Sequence, residues 1–158
     1  MKLVPEPLTP EAFLPFGAVI RAPTKSGRAK FPGALQNLRQ DAQPTISTSR
    51  AEPVSLPLRS SVMERHQFSS QTFLPLDVSR YLVVVAPDTG EGRPDVSRVR
   101  GFIVDGTVGI TYASGTWHHA MIVLDRPGCF AVLIWRNGTS EDIETVDLPD
   151  ALEILGIG

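Results

Sequence analysis

Short apolar runs rich in β-branched residues recur along this chain from Ile46 onward, and turn-forming residues separate them. Runs at 46–50, 61–66, 72–74, 81–86, 99–104, 108–113, 117–124, 129–135 and 143–148 predict eight or nine short strands. Pro87-Asp88-Thr89-Gly90, Asp125-Arg126-Pro127-Gly128 and Asn137-Gly138 read as turns. Asp105-Gly106, between "GFIV" and "TVGI", reads as a hairpin, because both residues tolerate positive φ. "YLVVVAP" and "CFAVLIW" are apolar on both faces, which predicts central strands. Many short antiparallel strands must close or stack to hide their edges. The expected fold is therefore all-β, an antiparallel barrel or jelly roll with one or two short helices.

Before Ile46 the pattern is weaker. Thr9-Pro10-Glu11 reads as a helix start, with Thr as cap and Pro in the first turn. Pro15 and Gly17 limit that helix to one or two turns. Residues 21–45 read as irregular, with one helical turn near 35–39. The end of the chain, "PDALEILGIG", predicts a short helix from Asp150 or a tail packed on a partner. The 158 residues thus read as a single domain: an N-terminal helical turn and irregular segment (1–45), a β-barrel (46–148) and a C-terminal tail (149–158).

Composition narrows the function classes. The formal charge is −2 with both signs interspersed, so no basic face is expected to track nucleic acid. No apolar run approaches the roughly 20 residues that span a bilayer. Lys2 is followed by Pro5, Glu6, Pro7 and Pro10, unlike the apolar core of a secretory signal. Cys129 is the one cysteine, so no internal disulfide is possible and a cytoplasmic location is expected. Strands apolar on both faces need covering, which predicts a homodimer.

Two stretches carry candidate chemistry. In "MERH", Glu64 and His66 lie two apart and share one face of a strand, while Arg65 points away. Gln71 follows after a turn-length spacer. "SGTWHH" opens on Gly115 and sets His118 three residues later; His118 is expected to face inward and the alternate His119 outward. The plain alternatives are a surface pair at Glu64 and His66, and a turn-satisfying amide at Gln71. Trp117, Trp135 and Tyr112 suit packing, and Cys129 reads as buried filler.

This spacing resembles the two motifs of cupin barrels. There, two histidines one residue apart precede an acid, and a Gly precedes a His by three. Here the resemblance implies Glu64, His66, Gln71 and His118 as a divalent-metal set in which the neutral amide is the weakest donor.

A narrower resemblance rests on "PLTPEAFLPFGAVI", "SRAEP", "ERH", "SQTFLPL", "VVVAP", "PDVSRVRGFI" and "GITYASGTWHHAMIVL". Together these are similar to the ureidoglycolate lyase family. The resemblance implies a dimeric cupin-like enzyme of purine and allantoin catabolism. It would cleave ureidoglycolate to glyoxylate and urea, with nickel or another divalent ion as a possible cofactor. Such a reaction needs a base for the carbinol hydroxyl, a donor for the departing nitrogen and a cation for the carboxylate. His66 or His118 suits the base, with Glu64 as its orienting partner, a metal ligand or the donor. Arg50 is the candidate for the carboxylate because its forked guanidinium binds one bidentately. Gln71 and Tyr112 are further candidate substrate contacts. Other readings are an amidohydrolase or isomerase of a related small acid, and a cupin that binds such an acid without turnover.

Overall fold

The β-branched runs form strands throughout residues 1–156, the residues described by a computed structural model. In chain order these are β1 (Lys2–Leu3), β2 (Glu6–Pro7), α1 (Pro10–Phe13), β3 (Gly17–Ile20), β4 (Gln43–Ala51), β5 (Leu58–Arg65) and β6 (Gln71–Asp77). They continue as β7 (Arg80–Ala86), β8 (Arg100–Asp105), β9 (Gly109–Tyr112), β10 (Trp117–His118), β11 (Ile122–Leu124), β12 (Gly128–Arg136) and β13 (Glu144–Ile154). The larger sheet has the order β1-β13-β5-β10-β7-β8-β2, with β11 also paired to β7. The smaller sheet has the order β3-β9-β6-β12-β4. The two sheets pack against each other around a shared core, and the fold is all-β. No helix among the described residues is long and apolar enough to cross a membrane.

Alternation along the strands decides where the core lies. Val83, Val85 and Phe102 of the larger sheet pack between the sheets against Phe73, Ile110 and Phe130 of the smaller one. Phe13 and Phe16 plug one end of this layer. The helix α1 starts where Thr9 caps it, accepting the Ala12 N–H at 3.1 Å, and after Phe13 the chain turns into β3. The other face of β7 presents Leu82, Val84 and Ala86 to a second cluster with Trp117, Leu148, Leu152 and Ile154. Hence "YLVVVAP" is buried on both sides, as its composition predicts. "CFAVLIW" is also central, between β6 and β4, but its outward positions are only half-buried. The edge strand β4 pairs with β12 alone and is exposed along nearly its whole length.

Four expectations are corrected. Asp105-Gly106 makes no hairpin: it carries the chain from β8 in the larger sheet to β9 in the smaller one. The Gly106 N–H donates to the Ser79 carbonyl at 2.8 Å, and a side chain at 106 would strike the Val78 carbonyl. Residues 35–39 form no helical turn. Their polar groups bond instead to the 68–70 turn, with Leu38 N–H donating to the Phe68 carbonyl at 2.8 Å and Gln36 N–H to Ser70 Oγ at 2.8 Å. The tail is neither a helix nor free: residues up to Ile154 continue β13, antiparallel to β5 and parallel to β1. Pairing on both sides outweighs the helix propensity of "ALEIL". Finally, residues 1–20 are not merely a helical turn, since β1, β2 and β3 extend both sheets.

Gly17 begins β3 with φ +155°, where a Cβ would lie 1.8 Å from the Thr111 carbonyl oxygen. Thr111 cannot retreat, because it is paired within β9 and buried. Gly17→Ala is expected to lower folding stability by about 2–4 kcal/mol in urea denaturation.

Candidate active site

The strand pattern brings the two chemistry-bearing stretches together. His118 on β10 pairs directly opposite Glu64 on β5, so their side chains leave the larger sheet side by side. His66 follows β5 on the same face as Glu64. The Gly115 N–H donates to the His66 carbonyl at 2.9 Å, which ties one stretch to the other. Gly115 has φ +79°, a turn conformation that glycine adopts freely. From the facing sheet, Gln71 on β6 pairs opposite Tyr112 on β9. The Tyr112 ring stacks on His118 at 4.2 Å between centroids, and the two imidazoles lie 5.5 Å apart. Glu64, His66, Gln71, Tyr112 and His118 thus converge from both sheets.

Backbone carbonyls fix the histidine tautomers. His66 Nδ1 donates to the Asp142 carbonyl at 2.6 Å, and His118 Nδ1 donates to the Thr116 carbonyl at 2.9 Å. A neutral imidazole with Nδ1–H carries its lone pair on Nε2. Both Nε2 atoms are buried without a hydrogen-bond partner, as are Gln71 Oε1 and the Tyr112 hydroxyl. Buried orphans of this kind are rare in folded proteins, and four at one place mark a site built for a guest. A cavity of about 360 Å³ opens beside them, lined by Glu64, Gln71, Phe73, Met121, Phe130 and Arg136, with Ser47, Ser49 and Ala51 of β4 on one wall.

Charge follows from this geometry. His118 Nε2 stands 3.5 Å from Glu64 Oε1, too far for a closed hydrogen bond with a neutral ring but poised to form one with an imidazolium. The neighbouring His118 holds the Glu64 carboxyl below its ordinary range against the opposing effect of burial. Glu64 is therefore a carboxylate near neutrality, which removes it as the proton donor. Burial pushes His66 down and keeps it neutral. Burial also pushes the Tyr112 hydroxyl up, so it stays protonated. Ligand atoms of Glu64, His66 and His118 all lie within 4.8 Å of one another. One carboxylate and two imidazole Nε2 atoms, both orphaned, fit the donor set of a borderline divalent cation.

One expectation is revised. Arg50 lies between Ser49 and Ala51, both of which line the cavity, so alternation turns it to the outer face. His119 is outside the cluster, held by Ser60 Oγ at 2.7 Å from its Nε2. The sequence reading also missed two groups. Arg136 lines the cavity mouth as the fourth inward position of β12 after Phe130, Val132 and Ile134, a parity readable from the strand pattern. Arg39 ion-pairs with Asp142 at 2.6 Å, both side chains nearly buried, and so holds the segment whose carbonyl fixes His66. No local signal reveals a pair 103 residues apart.

Comparison with known proteins gives one family. A sequence profile described as ureidoglycolate lyase matches residues 1–155. A ureidoglycolate lyase of Burkholderia cepacia is 39% identical, covering 90% of this chain and 84% of that protein. One of Chelativorans sp. (strain BNC1) is 35% identical over 97% of this chain and 96% of that protein. One of Schizosaccharomyces pombe is 29% identical over 89% and 88%. Among solved structures, dTDP-4-dehydrorhamnose 3,5-epimerase from Elizabethkingia anophelis NUHP1 is similar at 13% identity and a TM-score of 0.45. That likeness spans 65% of this chain and 55% of the epimerase chain.

The metal-free protein should lose stability in acid. The depressed folded pKa of His66 means that below about pH 6.5 the unfolded chain takes a proton that the folded one refuses. The depressed Glu64 pKa adds a second loss, as pH falls from about 4.5 through its folded value. Urea titrations in chelator should show the first loss as pH falls below about 6.5. It should shrink in His66→Gln, whose amide can still donate to the Asp142 carbonyl.

Proposed function

The chain belongs to the ureidoglycolate lyase family, and on that premise we propose that the cluster of Glu64, His66, Gln71, Tyr112 and His118 cleaves ureidoglycolate to glyoxylate and urea. It is an enzyme of the lyase class. The observation that carries the site assignment is the set of four buried, unpartnered polar atoms at one place.

Ureidoglycolate has one carbon bearing a hydroxyl, a carboxylate and a urea nitrogen. Cleavage removes the hydroxyl proton, forms the aldehyde C=O, breaks C–N and returns a proton to the urea nitrogen. His118 Nε2, the free lone pair, takes the carbinol proton, and Glu64 beside it stabilises the resulting imidazolium. The same imidazolium delivers the proton to the departing nitrogen. Gln71 Oε1 accepts an N–H of the urea group, and the Tyr112 hydroxyl donates to an oxygen of the substrate. Positioned acid–base groups of this kind contribute about 10²–10⁴-fold each. In an alternative, cation-dependent route Glu64, His66 and His118 would instead hold a divalent cation, nickel being the family expectation, and His118 would then not be the base. Such a cation would supply charge stabilisation to the carbinol oxygen.

The family and the lone Cys129 support a cytoplasmic role in purine and allantoin breakdown. A homodimer is supported by the outer face of the smaller sheet. There Ile46, 76% exposed, pairs beside Leu133, and Leu74, beside Ala131, lies on the same face. Ile46→Lys is expected to shift the protein to monomer in sedimentation velocity while its circular dichroism is kept.

Purified protein given racemic ureidoglycolate should release glyoxylate and urea in equal amounts, and no ammonia. His118→Ala should lower kcat/KM by at least about 100-fold with the fold retained. Ammonia in place of urea would move the assignment to an amidohydrolase. Turnover with and without chelator separates the proton-transfer route from a cation-dependent one.

A further inference from the structure

We propose that Arg136 is the residue that binds the substrate's carboxylate, anchoring an α-hydroxy acid at the cavity mouth with its carbinol carbon directed at His118 and Glu64. This deepens the lyase reading above and rests on it for the identity of the substrate. Its own basis is the position and freedom of one guanidinium.

Strand parity aims Arg136 inward. Phe130 and Val132 line the cavity, and Arg136 continues that face of β12. Ile134 pairs with Gln71, the first residue of β6, so Arg136 stands one inward position beyond the end of that strand. It pairs across to Gln43 on β4. Arg136 is thus at the lip of the cavity that Gln71 and Glu64 also line. It is the one basic residue among those that line the cavity.

Freedom and place together set it apart: Arg21, Arg28, Arg50, Arg59, Arg93 and Arg98 also close no ion pair among the described residues, but none of them lines the cavity. Arg39, Arg65, Arg80, Arg100 and Arg126 each close an ion pair with a carboxylate of the chain. Arg136 closes none among the described residues. An arginine left without a carboxylate, beside a cavity whose other charged wall residue is Glu64, is matched to an anionic guest. The guest's carboxylate and hydroxyl share one carbon, so its anchor and its base must reach atoms one bond apart. An arginine reaching in from the lip meets that demand, whereas Arg50 on the outside of the wall does not. Ser47 and Ser49, on the adjacent strand β4 of the same sheet, present further hydroxyl donors to the cavity.

The test uses the whole protein with oxamate as the anionic probe and oxamide as its uncharged counterpart. Calorimetry should show the wild type binding oxamate well above oxamide. Arg136→Gln should lose most of that preference at unchanged melting temperature, and Arg136→Lys should recover part of it. With ureidoglycolate, Arg136→Gln should raise KM by about 10- to 100-fold with a smaller change in kcat. A wild type indifferent to the charge of the probe overturns the assignment. So does an Arg136→Gln protein that binds oxamate as the wild type does, or one that loses kcat at constant KM. If the wild type releases no urea while oxamate binding depends on Arg136, the lyase reading falls and the carboxylate anchor stands.

Discussion

The carbonyls of Asp142 and Thr116 hold the Nδ1 protons of His66 and His118, and everything the cavity can do begins with those two hydrogen bonds. Each fixes one tautomer and one ring orientation, leaving an Nε2 lone pair in a dry place with nothing to accept from. Leaving such groups unsatisfied costs about 1–3 kcal/mol each. The fold bears that cost because the strands around the rings are paired on both sides and packed on both faces. A site of this kind is prepared before its guest arrives, so little reorganisation is needed at the moment of reaction.

The two sheets divide the labour. In the proposed reaction the larger one supplies the proton-handling pair, Glu64 and His118, as direct cross-strand neighbours, with His66 just beyond. In the same proposal the smaller one supplies recognition groups: Gln71 and Tyr112, also cross-strand neighbours, and Arg136 at the end of β12. Each pair is set by strand register alone. A slip of one residue would turn the whole set of a strand away from the hollow. The buried ion pair between Arg39 and Asp142 extends this control to a stretch with little regular structure, since it holds the carbonyl that orients His66.

Much of this is legible in the chain before any coordinates. Glu64 and His66 share a face because they are two residues apart, and Gly115 marks the turn that brings His118 back. The strand runs are also visible, within a few residues at their ends. What the chain hides is long-range. Asp105-Gly106 has the residues of a hairpin, but the steric demand at Gly106 comes from Val78, 28 positions earlier. "ALEIL" has helix-forming residues, yet β1 and β5 flank it on either side. Arg50 and Arg136 are equally plausible as isolated letters. Only the inward parity of β4 and β12 separates them, and parity needs one reference residue known to face the hollow.

The edge strand β4 contributes small side chains to the cavity, Ser47, Ser49 and Ala51, and none of the proton-handling groups. The upper size of an acceptable guest is therefore written in a strand remote from the imidazoles and anchored through β12 alone. Bulk added at 47 or 49 would narrow the chamber while leaving tautomers and charges untouched. Selectivity by girth and reactivity by proton are separately adjustable in this architecture, so descendants of one scaffold can exchange clients without rebuilding their chemistry.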